Sequence, residues 1–167
     1  MDPAHFFKTD LQRWALGIGE DHTTAVGRQL VIDLLRSNLR VVENLFVEVP
    51  RSWGQKMLDN AAKVSRSGAK QEDVERSLSG LGVQFANSIT LQRVIAFAIR
   101  RGVGVHAVDG TPGRSNSARN PVVARNVSDI TDGNLKRCVV LFGDDHFSGD
   151  SPTLRELIRP MRYLKCV

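Results

Sequence analysis

Two short segments of this chain set a histidine three places after a glycine: Gly19-Glu20-Asp21-His22 and Gly143-Asp144-Asp145-His146. An imidazole can take a proton from water near neutral pH, or bind a metal ion as its neutral form. Glu48, at the end of the apolar run Leu45–Val49, can orient such a ring, share a metal or act as a base. Asp21, Asp144 and Asp145 add hard oxygen donors. The candidate catalytic set is therefore His22, His146, Glu48 and Glu20. The candidate metal set is His22, His146, Glu48 and Asp145, a mixture that suits Mn, Co or Zn. Arg114, Arg119 and Asp109 are candidates for holding an anionic substrate group or the charge of a transition state.

The elements that must position these residues alternate between apolar runs and helical patterns. Arg13–Ile18, Leu45–Val49, Val103–Val108 and Arg137–Phe142 read as strands, and Arg162–Val167 as a fifth at an edge. Between them, Thr23 or Thr24 is placed to cap a helix carrying Val26, Leu30, Val31, Leu34 and Leu35. Residues 53–80 read as two helical pieces broken at Ser65–Gly68. A further helix is predicted from Ser88, with Leu91, Val94, Ile95 and Ala98 on one face. Residues 110–118 form the most loop-like stretch. Asn120-Pro121 and Ser151-Pro152 are expected to open the last two helices. Strands alternating with helices predict an α/β domain, three-layered, with a mainly parallel sheet of about five strands spanning 1–167. Ligands of such sheets bind beyond the carboxyl ends of the strands. His22, Glu48, Asp109 and His146 all fall at that edge.

Composition narrows the function classes. Apolar runs stop at four to six residues, short of the ~20 that cross a bilayer. No basic stretch followed by an apolar core marks a signal peptide at the start. Cys138 and Cys166 lie in apolar strands without ligand spacing, so they read as buried thiols that suit a reducing compartment. The net charge of +5 comes wholly from residues 81–167, where 12 basic residues face 7 acidic. The arginines are scattered rather than striped with aromatics, which argues against nucleic acid as a partner.

Two Gly-x-x-His motifs separated by a strand ending in Glu resemble the Tiki/TraB/ChaN/erythromycin-esterase superfamily. Gly19–His22 matches its first motif, Glu48 in Phe46-Val-Glu-Val-Pro50 the glutamate, and Gly143–His146 the second. The resemblance spans about residues 13–160, and Val108-Asp109 followed by Arg119-Asn120 is similar to the superfamily's second half. It implies an α/β fold with both motifs around one pocket. The implied chemistry is metal-assisted peptide hydrolysis or metal-free ester hydrolysis with a histidine base. The superfamily also includes haem-binding proteins and domains of bacterial toxins and effectors. Its haem branch uses a tyrosine, and Tyr163 lies away from the motifs in sequence, so haem is the weaker expectation.

Each residue also has a plainer reading. The two histidines can be surface loop residues. Glu48 can be paired with Arg51 or Arg119, which would depress its pKa and make it a poor base. His106 is a core histidine, Asp109 caps a turn, Arg114 and Arg119 are solvated, and Trp14 and Trp53 pack in or near the core. Two functions remain in view. One is a hydrolase acting on a peptide or small-molecule ester, cytoplasmic or secreted as an effector. The other is a non-catalytic module of the same fold that binds a ligand or a host protein.

Overall fold

The computed structural model describes residues 7, 9–37, 41–81, 89–110 and 113–166. Five strands form one sheet: β1 (Ala15–Glu20), β2 (Asn44–Pro50), β3 (Gly104–Asp109), β4 (Cys138–Gly143) and β5 (Met161–Cys166). Their order is β3-β2-β4-β1-β5, and every neighbouring pair is parallel. The helices are α1 (Val26–Arg36), α2 (Arg51–Arg66), α3 (Gln71–Ser77), α4 (Leu91–Arg100), α5 (Asn116–Thr131), α6 (Asp145–Ser148) and α7 (Leu154–Leu157). The predicted α/β architecture is thus present.

Alternation along the strands builds two cores. Leu16, Ile18, Leu45, Val47, Val139 and Leu141 pack against the apolar faces of α1 to α4. Ala15, Phe46, Cys138, Val140 and Phe142 face the other way, toward α5, α6 and α7. Both central strands β1 and β4 are buried at every residue, as a sheet covered on both faces requires. Edge strand β5 is only partly buried. Both cysteines are buried free thiols, and burial pushes the Cys138 thiol up to about 11, which makes it inert.

Several boundaries differ from expectation. Strand β1 continues through Gly19 and Glu20, so Glu20 is a strand residue whose side chain lies on the same side as Leu16 and Ile18. Thr23 and Thr24 do not cap α1; Ala25 precedes it, and Thr23 instead bonds the Asp21 carboxylate. The expected start at Ser88 lies outside the described residues; α4 begins at Leu91, capped by the Thr90 hydroxyl. Helix α5 begins at Asn116, and Pro121 sits inside it at the cost of a backbone hydrogen bond. Helix α7 is capped by Thr153 in a capping box with Glu156. Trp14 and Trp53 are exposed, at 41% and 42%. The buried face of α2 is instead Gly54, Leu58 and Ala61.

Gly54 is where α2 touches the sheet. A Cβ there would stand 2.2 Å from Val49 Cγ1 and 3.3 Å from Ala107 Cβ. Alanine favours a helix interior by about 1 kcal/mol over glycine, but the stiff valine has nowhere to move. Gly54→Ala should therefore destabilise the fold by about 1–3 kcal/mol, read as an earlier urea midpoint at unchanged slope.

Candidate functional site

The carboxyl edge of β1 is organised by one buried ion pair. Glu20, 4% exposed, and Arg28, 1% exposed, meet where α1 crosses the end of the strand. Arg28 Nε donates to Glu20 Oε2 at 2.9 Å and Nη2 donates to Oε1 at 3.0 Å, a two-pronged contact. Its third nitrogen, Nη1, donates to the Ile89 carbonyl at 3.0 Å. The fixed carboxylate then accepts from His22 Nδ1 at 3.0 Å. With its proton held at Nδ1, the neutral ring carries its basic lone pair on Nε2. That atom stands 3.7 Å from Glu48 Oε2.

Glu48 sits where the β2–β3 register shifts, between Val47 and Pro50, just past its strand's last pairing with β4. Released from the ladder, it reaches over the end of β4. Oε2 accepts the Gly143 amide at 2.8 Å. Oε1 accepts Arg119 Nη2 at 2.9 Å and lies 3.2 Å from His146 Nε2. Arg119 also grips Asp109, with Nε donating to Oδ1 at 3.0 Å. His146 is buried, and its Nδ1 donates to Asn120 Oδ1 at 2.6 Å. Asn120 is oriented by its own amide, which donates to the carbonyls of His146 and Pro152. The two histidine loops therefore converge on opposite oxygens of one glutamate.

The motif glycines are needed for space rather than for a special turn. Both lie in strands and neither has a positive φ. A Cβ on Gly143 would come 2.8 Å from His22 Nε2. A Cβ on Gly19 would meet Asp144 Oδ1 at 2.7 Å and the Tyr163 ring at 3.0 Å. Tyr163, distant from the motifs in sequence, thus packs against both, and its hydroxyl donates to Asp144. Burial and the Asp144 charge push that phenol further up, so it resists the ionisation that haem ligation requires.

Burial alone would raise the Glu48 carboxyl. The hydrogen bond and charge of His146, the Gly143 amide and Arg119 overcome it and bring the pKa to about 2. Such a group is ionised but is a poor base. It contributes stability that is full above its ordinary 4.5 and is lost as pH falls through about 2. Burial likewise opposes the Glu20 charge, and His22 and Arg28 more than offset it, leaving that pKa lowered. His22 moves the other way: the hydrogen bond to Glu20 raises it above 6.5, helped by the charges of Glu20 and Glu48 and opposed by burial.

These groups line a cleft of about 520 Å³, floored by Glu20, His22, Glu48, Arg119, Gly143 and His146. A smaller hollow of about 220 Å³ shares Glu20, His22 and Glu48 and continues past Arg28 and Leu91.

The fold is similar to that of two solved bacterial effector structures. The type III effector HopBA1 matches with a TM-score of 0.63 at 16% identity, covering 96% of this chain and 81% of that one. RRSP, a MARTX toxin effector domain from Vibrio vulnificus CMCP6, matches with a TM-score of 0.58 at 15% identity, covering 96% of this chain and 35% of that one. At such identities the likeness is one of fold. No family model matches the chain, and no curated protein does.

Within this fold the expected residues divide. His22, Glu20, Glu48, His146 and Arg119 come together, with Asp109 behind Arg119. Arg114 is exposed in a neighbouring hollow that Arg119 also lines. Asp145 is exposed on the cleft rim. Among the described residues no three His, Cys, Asp or Glu side chains are grouped to hold one metal ion. The oxygens of Glu20 and Glu48 are already committed to arginines, imidazoles and an amide. Of the expected ligand set, His22 and His146 meet at Glu48, and Asp145 stands apart on the rim. Sequence reading missed Arg28 and Asn120. Each lies in register with an apolar helix face, Arg28 with Val31, Ile32 and Leu35, and Asn120 with Val123 and Val127. A polar residue on such a stripe signals a buried partner.

Replacing Glu20 by glutamine leaves Arg28 buried without its counter-charge. Glu20→Gln should lower the unfolding free energy by about 3–5 kcal/mol, measured by urea denaturation at neutral pH.

Proposed function

We propose that this chain is a hydrolase of peptide or ester bonds, with His22 as general base, serving as an effector module. The single observation that carries the reading is the Arg28–Glu20–His22 relay: an immobilised carboxylate holds Nδ1–H, so the neutral base is Nε2, which lines the cleft. A base oriented by a buried acid is the arrangement that general-base hydrolysis needs.

In this mechanism a water donates one hydrogen to His22 Nε2 and the other to Glu48 Oε2, which turns its lone pair toward the substrate carbonyl. Its oxygen bonds to the carbonyl carbon as the proton passes to Nε2. The imidazolium is stabilised by Glu20. The developing oxyanion is balanced by Arg119 at the cleft wall. When the tetrahedral adduct collapses, the bond to the leaving nitrogen or oxygen breaks and the proton moves from His22 to that atom. Glu48, held by His146, Arg119 and the Gly143 amide, orients water and takes no proton. His146 and Asn120 are positioning residues for Glu48.

The paired hollows on either side of His22 and Glu48 favour an extended peptide over a compact ester. A larger hollow of about 650 Å³ at the amino edge of the sheet, lined by residues such as Leu34, Val41, Arg100 and Arg101, has no histidine or carboxylate among the described residues that line it. The effector neighbours support a secreted module acting on a host protein. Among the described residues no helix is long and apolar enough to cross a membrane. The motif resemblance to the Tiki/TraB/ChaN/erythromycin-esterase superfamily supports the same chemistry. A purely ligand- or partner-binding role is favoured only by how fully Glu20 and Glu48 are satisfied within the protein.

On fluorogenic peptide and ester panels, His22→Ala should abolish turnover while still unfolding cooperatively. Wild-type rates in that variant would end the proposal. Because a base must be neutral, kcat/KM should rise with pH through a midpoint above 6.5, the ordinary histidine value. In Glu20→Gln the midpoint should move down, since its largest cause is gone. Gly143→Ala, which drives a methyl group against Nε2, should cut kcat by at least about tenfold with little change in thermal midpoint.

A further inference from the structure

Beside the cleft lies a second hollow of about 400 Å³, lined by Arg51, Asp109, Arg114, Arg119 and Val122 among others. Arg119 belongs to both, so a chain lying in the cleft passes directly over its rim. Asp109, the carboxylate lining this hollow, is fully engaged, with both oxygens on Arg119 and Oδ1 also on the Gly110 amide. The other two guanidinium groups form no ion pair among the described residues. Arg51 Nη1 donates to Asn126 Oδ1 at 2.7 Å, a neutral partner. Asn126 is itself tied to the Val108 carbonyl at 2.9 Å, which fixes Arg51 at the hollow's wall. Arg114 has no hydrogen-bond or ion-pair partner among the described residues. Val122, 42% exposed, supplies an apolar surface between the charges. The positive charge of Arg51 is felt by its surroundings: after burial, it is the next cause that lowers the His106 pKa.

Resting on the hydrolase reading above, we propose that this hollow is a substrate subsite in which Arg51 and Arg114 bind the carboxylate of an acidic side chain next to the scissile peptide bond, with its methylenes against Val122. Two guanidinium groups lining one hollow offer the paired donors that a carboxylate's two oxygens accept. The subsite reads a side chain and takes no part in bond breaking. It thus acts on affinity and selectivity, whereas the His22 relay acts on turnover.

The test is binding, read separately from cleavage. Fluorescein-labelled decapeptide pools, one with Asp and Glu at alternate positions and one with Asn and Gln instead, are titrated by anisotropy. They are run against the unaltered chain, the double variant Arg51→Gln/Arg114→Gln, the conservative Arg51→Lys/Arg114→Lys and the base variant His22→Ala. The acidic pool should bind at least about tenfold tighter than the amide pool. That ratio should fall to near one in the glutamine variant, survive in part in the lysine variant and be unchanged in His22→Ala. No preference in the unaltered chain, or a preference that persists in the glutamine variant, overturns the subsite. A phosphoserine pool binding tenfold tighter than the acidic pool reassigns it to phosphate and overturns the carboxylate. If the preference holds and no pool is cleaved, the subsite stands and the hydrolase reading falls.

Discussion

The buried pair of Glu20 and Arg28 is the contact on which the carboxyl edge of the sheet depends. Removing two charges from water is costly, and their attraction repays that cost only when geometry is close to ideal and every remaining proton has a partner. Both conditions are met: the guanidinium fork meets both carboxylate oxygens, and its spare nitrogen reaches the Ile89 carbonyl. The pair clamps α1 to the end of β1 and to the residues leading into α4. It also supplies the fixed negative oxygen that selects the His22 tautomer. One interaction therefore anchors a helix, closes a strand end and sets the chemistry of a ring.

A second electrostatic cluster mirrors the first across β4. Glu48, Arg119, Asp109, His146 and Asn120 form a continuous network in which each carboxylate oxygen has at least one donor. The two clusters approach each other at His22 Nε2 and Glu48 Oε2. In each, buried partners hold a more exposed group at the cleft: Glu20 and Arg28 are 4% and 1% exposed against 28% for His22, and His146 is 3% exposed against 21% for Glu48. The two facing groups are shifted in opposite senses, His22 upward and Glu48 down to about 2.

Much of this was legible in the sequence. Continuous apolar runs marked the buried parallel strands, and glycine-to-histidine spacing at their carboxyl ends located the site. Of the two arginine partners the sequence offered Glu48, Arg51 and Arg119, the second is the one it meets. The remainder was hidden for physical reasons. Gly19 and Gly143 leave room for side chains arriving from elsewhere in the fold, and such contacts leave no trace in local pattern. Asn120-Pro121 resembles a helix start, but the helix begins earlier because tertiary packing of Asn120 outweighs the hydrogen bond lost at Pro121. Trp14 and Trp53 read as core by size, although hydrophobic residues are often left at the surface.

The strand order carries a consequence for when the site comes into being. With β1 lying between β4 and β5, the earliest strand of the sheet is completed only by the latest two. His22 and Glu20 gain their cleft when β4 delivers Gly143 and His146 beside them, and the edge of β1 is sealed only once β5 is laid down. An amino-terminal fragment ending before β4 contains one histidine loop, Glu48 and Arg119, but lacks Gly143 and His146 on the other side of the cleft. The cleft is therefore complete only once β4 has taken its place between β2 and β1.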